Sequence, residues 1–303
     1  MKEIWNDIKE RFKKGDILTR LIYINAGVFI LSILFSIIWG LVTGNWDNSQ
    51  QTFHSLTGLP INNFFEVLIK PYSIVTHMFV HDGFWHLLVN MLVLYFLGKI
   101  FLNYFSSRQF FGLYMLAGLS AAVFLLITTS ISPLFTSPNY AVGASAAVMS
   151  IVVGITAYTP NTIVKPFGIF PIKLMWIGIF IVLQDLIKIN NSDVENLGGT
   201  LAHLVGAGIG YWFASAYKQG RDITIKINRY IDKVKGLFNR KAKMKVVYNQ
   251  SKVRTMSDDE YNANQKVSQA EIDAILDKIS ASGYSSLTKK EKDILFKYSN
   301  KNK

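Results

Sequence analysis

The sequence has no cysteine. Disulfides, thiolate zinc sites, iron–sulfur clusters and cysteine nucleophiles are therefore excluded, and the redox compartment leaves no mark. Charge is scarce as well. Only 17% of the residues are charged, against roughly 25% in an ordinary soluble domain. Disorder is excluded for most of the chain, because disordered segments are poor in aromatic residues and 14% of this chain is aromatic. What is present is apolar: hydrophobic residues fill 50% of 303 positions, and mean hydropathy is +0.25. The net charge of +12 is unevenly spread. Residues 1–217 hold 12 Lys and Arg against 10 Asp and Glu, whereas residues 218–303 hold 20 against 10. The chain divides into an apolar body and a basic tail.

A helix that crosses a bilayer needs ~20 mostly apolar residues, set by the thickness of the hydrocarbon and the helical rise. Six runs approach this length: Leu21–Val42, Phe84–Leu102, Phe110–Ile131, Tyr140–Tyr158, Ile169–Ile189 and Gly198–Tyr217. The first reads as a span rather than a secretory signal, whose apolar region is ~7–15 residues followed by a small-residue cleavage site. Lys and Arg in the short connections set the orientation. Lys2, Lys9, Arg11, Lys13, Lys14 and Arg20 precede the first span. Arg108 lies in the second loop and Lys165 in the fourth, whereas the first loop (residues 43–83) holds only Lys70 and the third (132–139) holds none. Both termini therefore read as cytoplasmic, and loops one, three and five as external. Within the first loop, Phe64–Ile69 and Tyr72–Val75 are apolar but too short to cross, so an interfacial amphipathic element is expected there.

Strongly polar side chains are costly in hydrocarbon and mark candidate sites. His86 and Asn90 share one face of the second span at i, i+4 spacing. Ser145 lies in the fourth span and His203 in the sixth. All three spans start at the external side, and His86, Ser145 and His203 each lie within two turns of the start. They should share one depth. Small residues surround Ser145, and Gly206-Ala207-Gly208-Ile209-Gly210 follows His203, so the two spans can approach closely. A serine hydroxyl needs an adjacent base, and a neutral imidazole supplies one. Taken singly, Ser145 reads as a packing residue and each His as a structural hydrogen-bonding group. Their matching depth is what argues for a joint site.

Three stretches together resemble the rhomboid family of intramembrane serine proteases. They are Thr76-His77-Met78-Phe79-Val80-His81-Asp82-Gly83-Phe84-Trp85-His86-Leu87-Leu88-Val89-Asn90, Gly143-Ala144-Ser145-Ala146, and Ala202-His203-Leu204-Val205-Gly206. The resemblance spans roughly residues 20–217. It implies Ser145 as nucleophile and His203 as general base, with His86, Asn90 and the Ser145 backbone N–H stabilising the oxyanion. The expected function is hydrolysis of peptide bonds in or near transmembrane segments, with transmembrane protein substrates, the lipid bilayer as surroundings, and no cofactor. The alternative is a catalytically inactive rhomboid-like protein that binds transmembrane helices. Three positions depart from the family pattern: Ala146 replaces a common Gly, Tyr72-Ser73 stands where a Trp-Arg pair is expected, and Met149 replaces an aromatic that packs on the base.

The expected fold is an all-α, six-transmembrane-helix rhomboid-like bundle (21–217) after a cytoplasmic segment (1–20). A basic cytoplasmic linker (218–267) and a small helical hairpin (268–303) follow. The expected setting is a bacterial inner membrane, as a multi-pass protein. His77 and His81 share a face at i, i+4 spacing, but the ligand set is incomplete, so a structural role is expected and no metal. Asp185, near the outer end of span five, has two readings, a third acid that orients His203 or a local ion pair with Lys188 at i+3; the ion pair is the simpler and is expected. The basic stretch 218–247 reads as a positive-inside anchor with weak attraction to anionic lipid, and no nucleic-acid recognition motif accompanies it. In the tail, Ser268-Gln269-Ala270-Glu271 and Thr288-Lys289-Lys290-Glu291 read as capping boxes. The first would open a helix to about Ser282 and the second a helix toward Tyr298, with Ile272, Ile275, Leu276 and Ile279 on one apolar face.

Overall fold

The computed structural model describes residues 15–131, 139–190, 197–238 and 258–301, together with residues 9 and 12. Two compact units divide at Asn239 and Arg240.

In the first unit, helix α1 (Ile17–Thr43) begins where Asp16 accepts the Thr19 backbone N–H at 2.8 Å and ends at Gly44, whose φ of 70° stops the helix. Its flank is apolar and outward-facing, with Ile30, Leu31, Ile38, Leu41 and Val42 exposed, as suits a helix in lipid. A long connection follows, built from α2 (Ser49–Thr57), β1 (Leu59–Pro60), α3 (Phe64–Ile69), α4 (Ser73–Thr76) and a 3₁₀ turn (His77–Phe79). Helix α3 buries Val67 and exposes Phe64, Phe65, Leu68 and Ile69, an apolar outer face on a short element. Next come α5 (Phe84–Leu102), α6 (Ser107–Ile131), β2 (Tyr140–Ala141), α7 (Ser145–Tyr158), β3 (Ile163–Val164), β4 (Ile172–Lys173), α8 (Leu174–Asn190), α9 (Leu197–Lys218) and α10 (Thr224–Phe238).

Each of the six apolar runs is helical. Among the described residues, α1, α5 and α6 are long and apolar enough to cross a membrane, while α7 and the apolar part of α8 are shorter. The fourth and fifth runs each turn helical five residues later than predicted, at Ser145 and Leu174. Helix α7 starts at Ser145, not Tyr140, and its 14 residues extend only ~21 Å. Tyr140 and Ala141 are extended and pair with Pro60 and Leu59. Gly143 then takes a φ of 132°, which no helix contains, and donates its N–H to the His77 carbonyl at 2.9 Å. The chain turns helical only beyond it.

Helix α7 packs against α5, α6, α8 and α9. Its closest approach is to α9. A Cβ added at Gly206 would lie 2.1 Å from the Ala146 carbonyl oxygen, and one at Gly210 would lie 2.4 Å from that of Ser150. The predicted small-residue crossing is therefore formed, backbone against backbone. The far end of the bundle is an aromatic plug in which Phe105 lies 4.5 Å from Phe101, 4.7 Å from Tyr158, 4.9 Å from Phe213 and 5.0 Å from Tyr217, ring centre to ring centre. These residues end α5, α7 and α9 or follow them. The opposite ends of the same three helices are left to carry polar groups.

Helix α10 lies in the stretch read as a basic anchor. Ile223, Ile227 and Ile231 pack on the core, Asn228 donates to the Arg108 carbonyl at 3.0 Å, and Arg108 pairs with Asp232. The charged stretch hides an amphipathic helix.

The second unit contains α11 (Asp258–Ser282), a 3₁₀ turn (Tyr284–Ser286) and α12 (Lys289–Lys301). Helix α11 runs through the capping box expected at Ser268 and starts ten residues earlier. The second capping box is formed: Glu291 accepts from the Thr288 N–H and hydroxyl at 2.6 and 2.8 Å. Lys278 also donates to Glu291 at 2.9 Å, and the lysine first, then the Thr288 bonds, hold that carboxyl down to about 2. Ile272 and Ile275 are buried, whereas Leu276 is exposed.

Candidate active site

The four predicted residues come to the same end of the bundle. His86 lies in the first turn of α5, Asn90 one turn on, Ser145 at the first position of α7, and His203 in the second turn of α9. A cavity of about 300 Å³ is lined by His86, Asn90, Ser145, Met149, Asp185 and His203, among others. A second, of about 390 Å³, shares His86, Ser145 and His203 and reaches Gly143, Ala146 and Tyr140. His86 and His203, 117 positions apart in sequence, thus border one space.

The local structure around Ser145 has a physical logic. A Cβ on Gly143 would lie 3.0 Å from His86 Cε1 and 3.5 Å from Ser145 Oγ. The glycine therefore serves both its positive φ and the seating of the imidazole against the serine. The N-cap is Ala144, which has no side-chain oxygen to offer, and the first bond into the helix is Val148 N–H to the Ala144 carbonyl at 2.9 Å. The N–H groups of Ser145, Ala146 and Ala147 are left unspent by the helix. An apolar cap forgoes about 1 kcal/mol of helix stability and leaves donors beside the serine.

Asn90 Nδ2 donates to the His86 carbonyl at 2.8 Å, which holds the amide on the cavity side of α5. Ala146 is buried in a small apolar cluster with Ala121, Leu125 and Ala202. Its methyl has a packing place there. Met149 lines the cavity with His203.

His203 Nδ1 meets Asp185 Oδ2 at 3.1 Å. The simpler expectation, a pairing with Lys188, involves a side chain that lies outside the described residues. Asp185 is 4% exposed, and a carboxylate in an apolar span demands partners. That cost was the signal available in the sequence. Among the described residues, no hydrogen bond joins Ser145 to His203, although both line the cavity.

The long connection between α1 and α5 supports this end. Lys70 donates to the Ser55 carbonyl and to Glu66, both at 2.9 Å, and Tyr140 reaches Glu66 at 3.3 Å. The bond to Glu66 raises the Lys70 ammonium above its usual range. Where a Trp-Arg pair was expected, Ser73 is buried and its carbonyl lies 3.0 Å from His77 Nδ1. Burial pushes His77 down to about 4 and His81 to about 3, so both are neutral. The His81 ring stands edge-on to His86 at 5.0 Å.

Comparison with known proteins agrees with the geometry. Residues 69–219 match the Rhomboid domain, a range that holds all four residues. The chain belongs to the rhomboid family. RHOMBOID-like protein 12, mitochondrial, from Arabidopsis thaliana is 26% identical over 230 residues, 72% of this chain and 63% of that protein. The rhomboid chain thus spans less than two thirds of that relative. Residues 256–301 match a family of unknown function, DUF6576. No solved structure gives a significant match. The apolar helices and the family together make this rhomboid an integral membrane protein.

Proposed function

We propose that this rhomboid is an intramembrane serine endopeptidase acting on transmembrane proteins near the external end of their spans. The convergence of Ser145, His203, His86 and Asn90 on one cavity carries the reading. Ser145 Oγ attacks the scissile carbonyl carbon while its proton passes to His203 Nε2. The oxygen that becomes negative is held by the Ser145 N–H and by His86 and Asn90, donors placed before the charge develops. Collapse breaks the C–N bond, and His203 returns the proton to the leaving amine. Water, deprotonated by His203, then hydrolyses the acyl-serine ester. The Ser145–His203 bond forms when substrate fills the cavity, since such contacts tighten on binding.

In this reading all six helices cross the membrane, with both termini cytoplasmic in a bacterial inner membrane. The starts of α5, α7 and α9 then face the exterior, where water reaches the cavity. A substrate helix must unwind to present its internally bonded peptide groups, so helix-breaking residues near the cut favour cleavage.

A fluorophosphonate probe on the purified full chain, with mapping of the adduct, tests the proposal. Ser145 should be labelled, and Ser145→Ala and His203→Ala should each abolish labelling and cleavage of a model membrane substrate while the protein stays folded. Wild-type protein that neither labels nor cleaves would establish the inactive, helix-binding alternative. Labelling unchanged in His203→Ala would remove the base from the mechanism.

A further inference from the structure

We infer that Asp185 is a positioning residue that adds a third member to the serine–histidine pair by orienting His203; this rests on the protease reading above. Asp185 comes from α8 and His203 from α9, so their contact at 3.1 Å is made by tertiary packing rather than by neighbouring positions in one helix. The Asp185 side chain is 5% exposed and that of His203 23%. An acid withdrawn from water to this degree is expensive unless ionic or hydrogen-bonding partners meet it. Here the imidazole Nδ1–H is one such partner.

The direction of that bond decides what the other ring nitrogen does. A carboxylate only accepts, so Nδ1 must carry the proton. Nε2 is then the nitrogen with a free lone pair, and the cavity side of His203 is the side shared with Ser145. Without the acid, the neutral ring is free to adopt the opposite tautomer, with Nε2 protonated and useless as a base. When Nε2 takes the serine proton, the ring becomes a cation, and Asp185 lies against it without taking the Nδ1 proton. Of the other side chains that line this cavity, His86, Asn90 and Gln184 are polar but none is an acid; Asp82 borders the second cavity, which His203 shares.

Two measurements on the purified full chain decide the matter. Nitrogen NMR of histidine-labelled wild type, with His203→Gln to assign the resonance, should show a neutral His203 protonated at Nδ1. Kinetics on a transmembrane substrate should show that Asp185→Asn lowers kcat on the order of 10²-fold or more with little change in KM, as expected when a base is held in the wrong tautomer. Asp185→Glu should recover part of the rate. A wild-type His203 protonated at Nε2 overturns the inference without any variant having to fold. So does an active wild type whose Asp185→Asn form keeps its kcat. Wild type that is inert but shows His203 protonated at Nδ1 sinks the protease reading and leaves the positioning contact standing.

Discussion

Adding one methyl group to α9 at Gly206 would drive it into the backbone of α7. The new Cβ would lie 2.1 Å from the Ala146 carbonyl oxygen, 2.8 Å from the carbonyl carbon and 3.0 Å from Cα. A carbon–oxygen contact sits at about 3.3 Å, so the helices must part locally by about 1 Å. No rotamer change relieves the overlap, because every obstructing atom is backbone or fixed to it. The strain falls between the proposed nucleophile and base, since Ala146 adjoins Ser145 and Gly206 lies three residues after His203. Displacement of ~1 Å in a reacting pair costs on the order of 10²-fold in rate, and overpacking of this kind costs about 1–3 kcal/mol of stability. Gly208→Ala is the internal control, because nothing lies within 4 Å of a Cβ there. The assay is cleavage of a fluorogenic transmembrane substrate, with thermal unfolding in detergent measured on both variants. Gly206→Ala should lose about 10²-fold in rate and several degrees in Tm, and Gly208→Ala should match the parent. Equal losses in the two variants, or a parent-like Gly206→Ala, would refute the claim that this crossing sets the site.

Much of the fold was legible because apolar length is a one-dimensional property. Phe84–Leu102 is found residue for residue, and the other runs lie within a few positions of their helices. The start of α7 was not legible, because it depends on a strand partner, Leu59–Pro60, some eighty positions upstream. Helix α10 was masked by its own Lys and Arg, although Ile223, Ile227 and Ile231 recur every four residues. The four site residues stood out because hydrocarbon makes polar groups conspicuous. Asp185 stood out as well, with His203 and Lys188 both open as partners and the lysine the simpler choice. Sequence spacing displays a lysine at i+3, whereas contact with His203 arises only from how α8 and α9 pack.

Two further perturbations probe the same end of the bundle. Gly143→Ala should cut kcat more than KM, because an alanine at φ 132° is strained and its methyl would lie 3.0 Å from His86 Cε1; steady-state kinetics with a parent-like kcat would count against the role given to His86. The other concerns acid. Burial holds His77 at about 4, below the ~6.5 of an unfolded chain. Below pH ~6.5 the unfolded state therefore binds the extra proton and the folded state does not, so stability is complete above that pH. It falls as pH drops toward 4 and levels off beneath, a loss of roughly 3 kcal/mol from this one ring. His81, at about 3, adds a loss of the same sign. His77→Gln keeps a donor for the Ser73 carbonyl and cannot titrate, so its Tm in detergent should fall less steeply between pH 7 and pH 4.5 than that of the parent. Parallel Tm curves for the two proteins would show that His77 already carries its proton in the folded state, and that the bond to Ser73 rather than burial governs the ring.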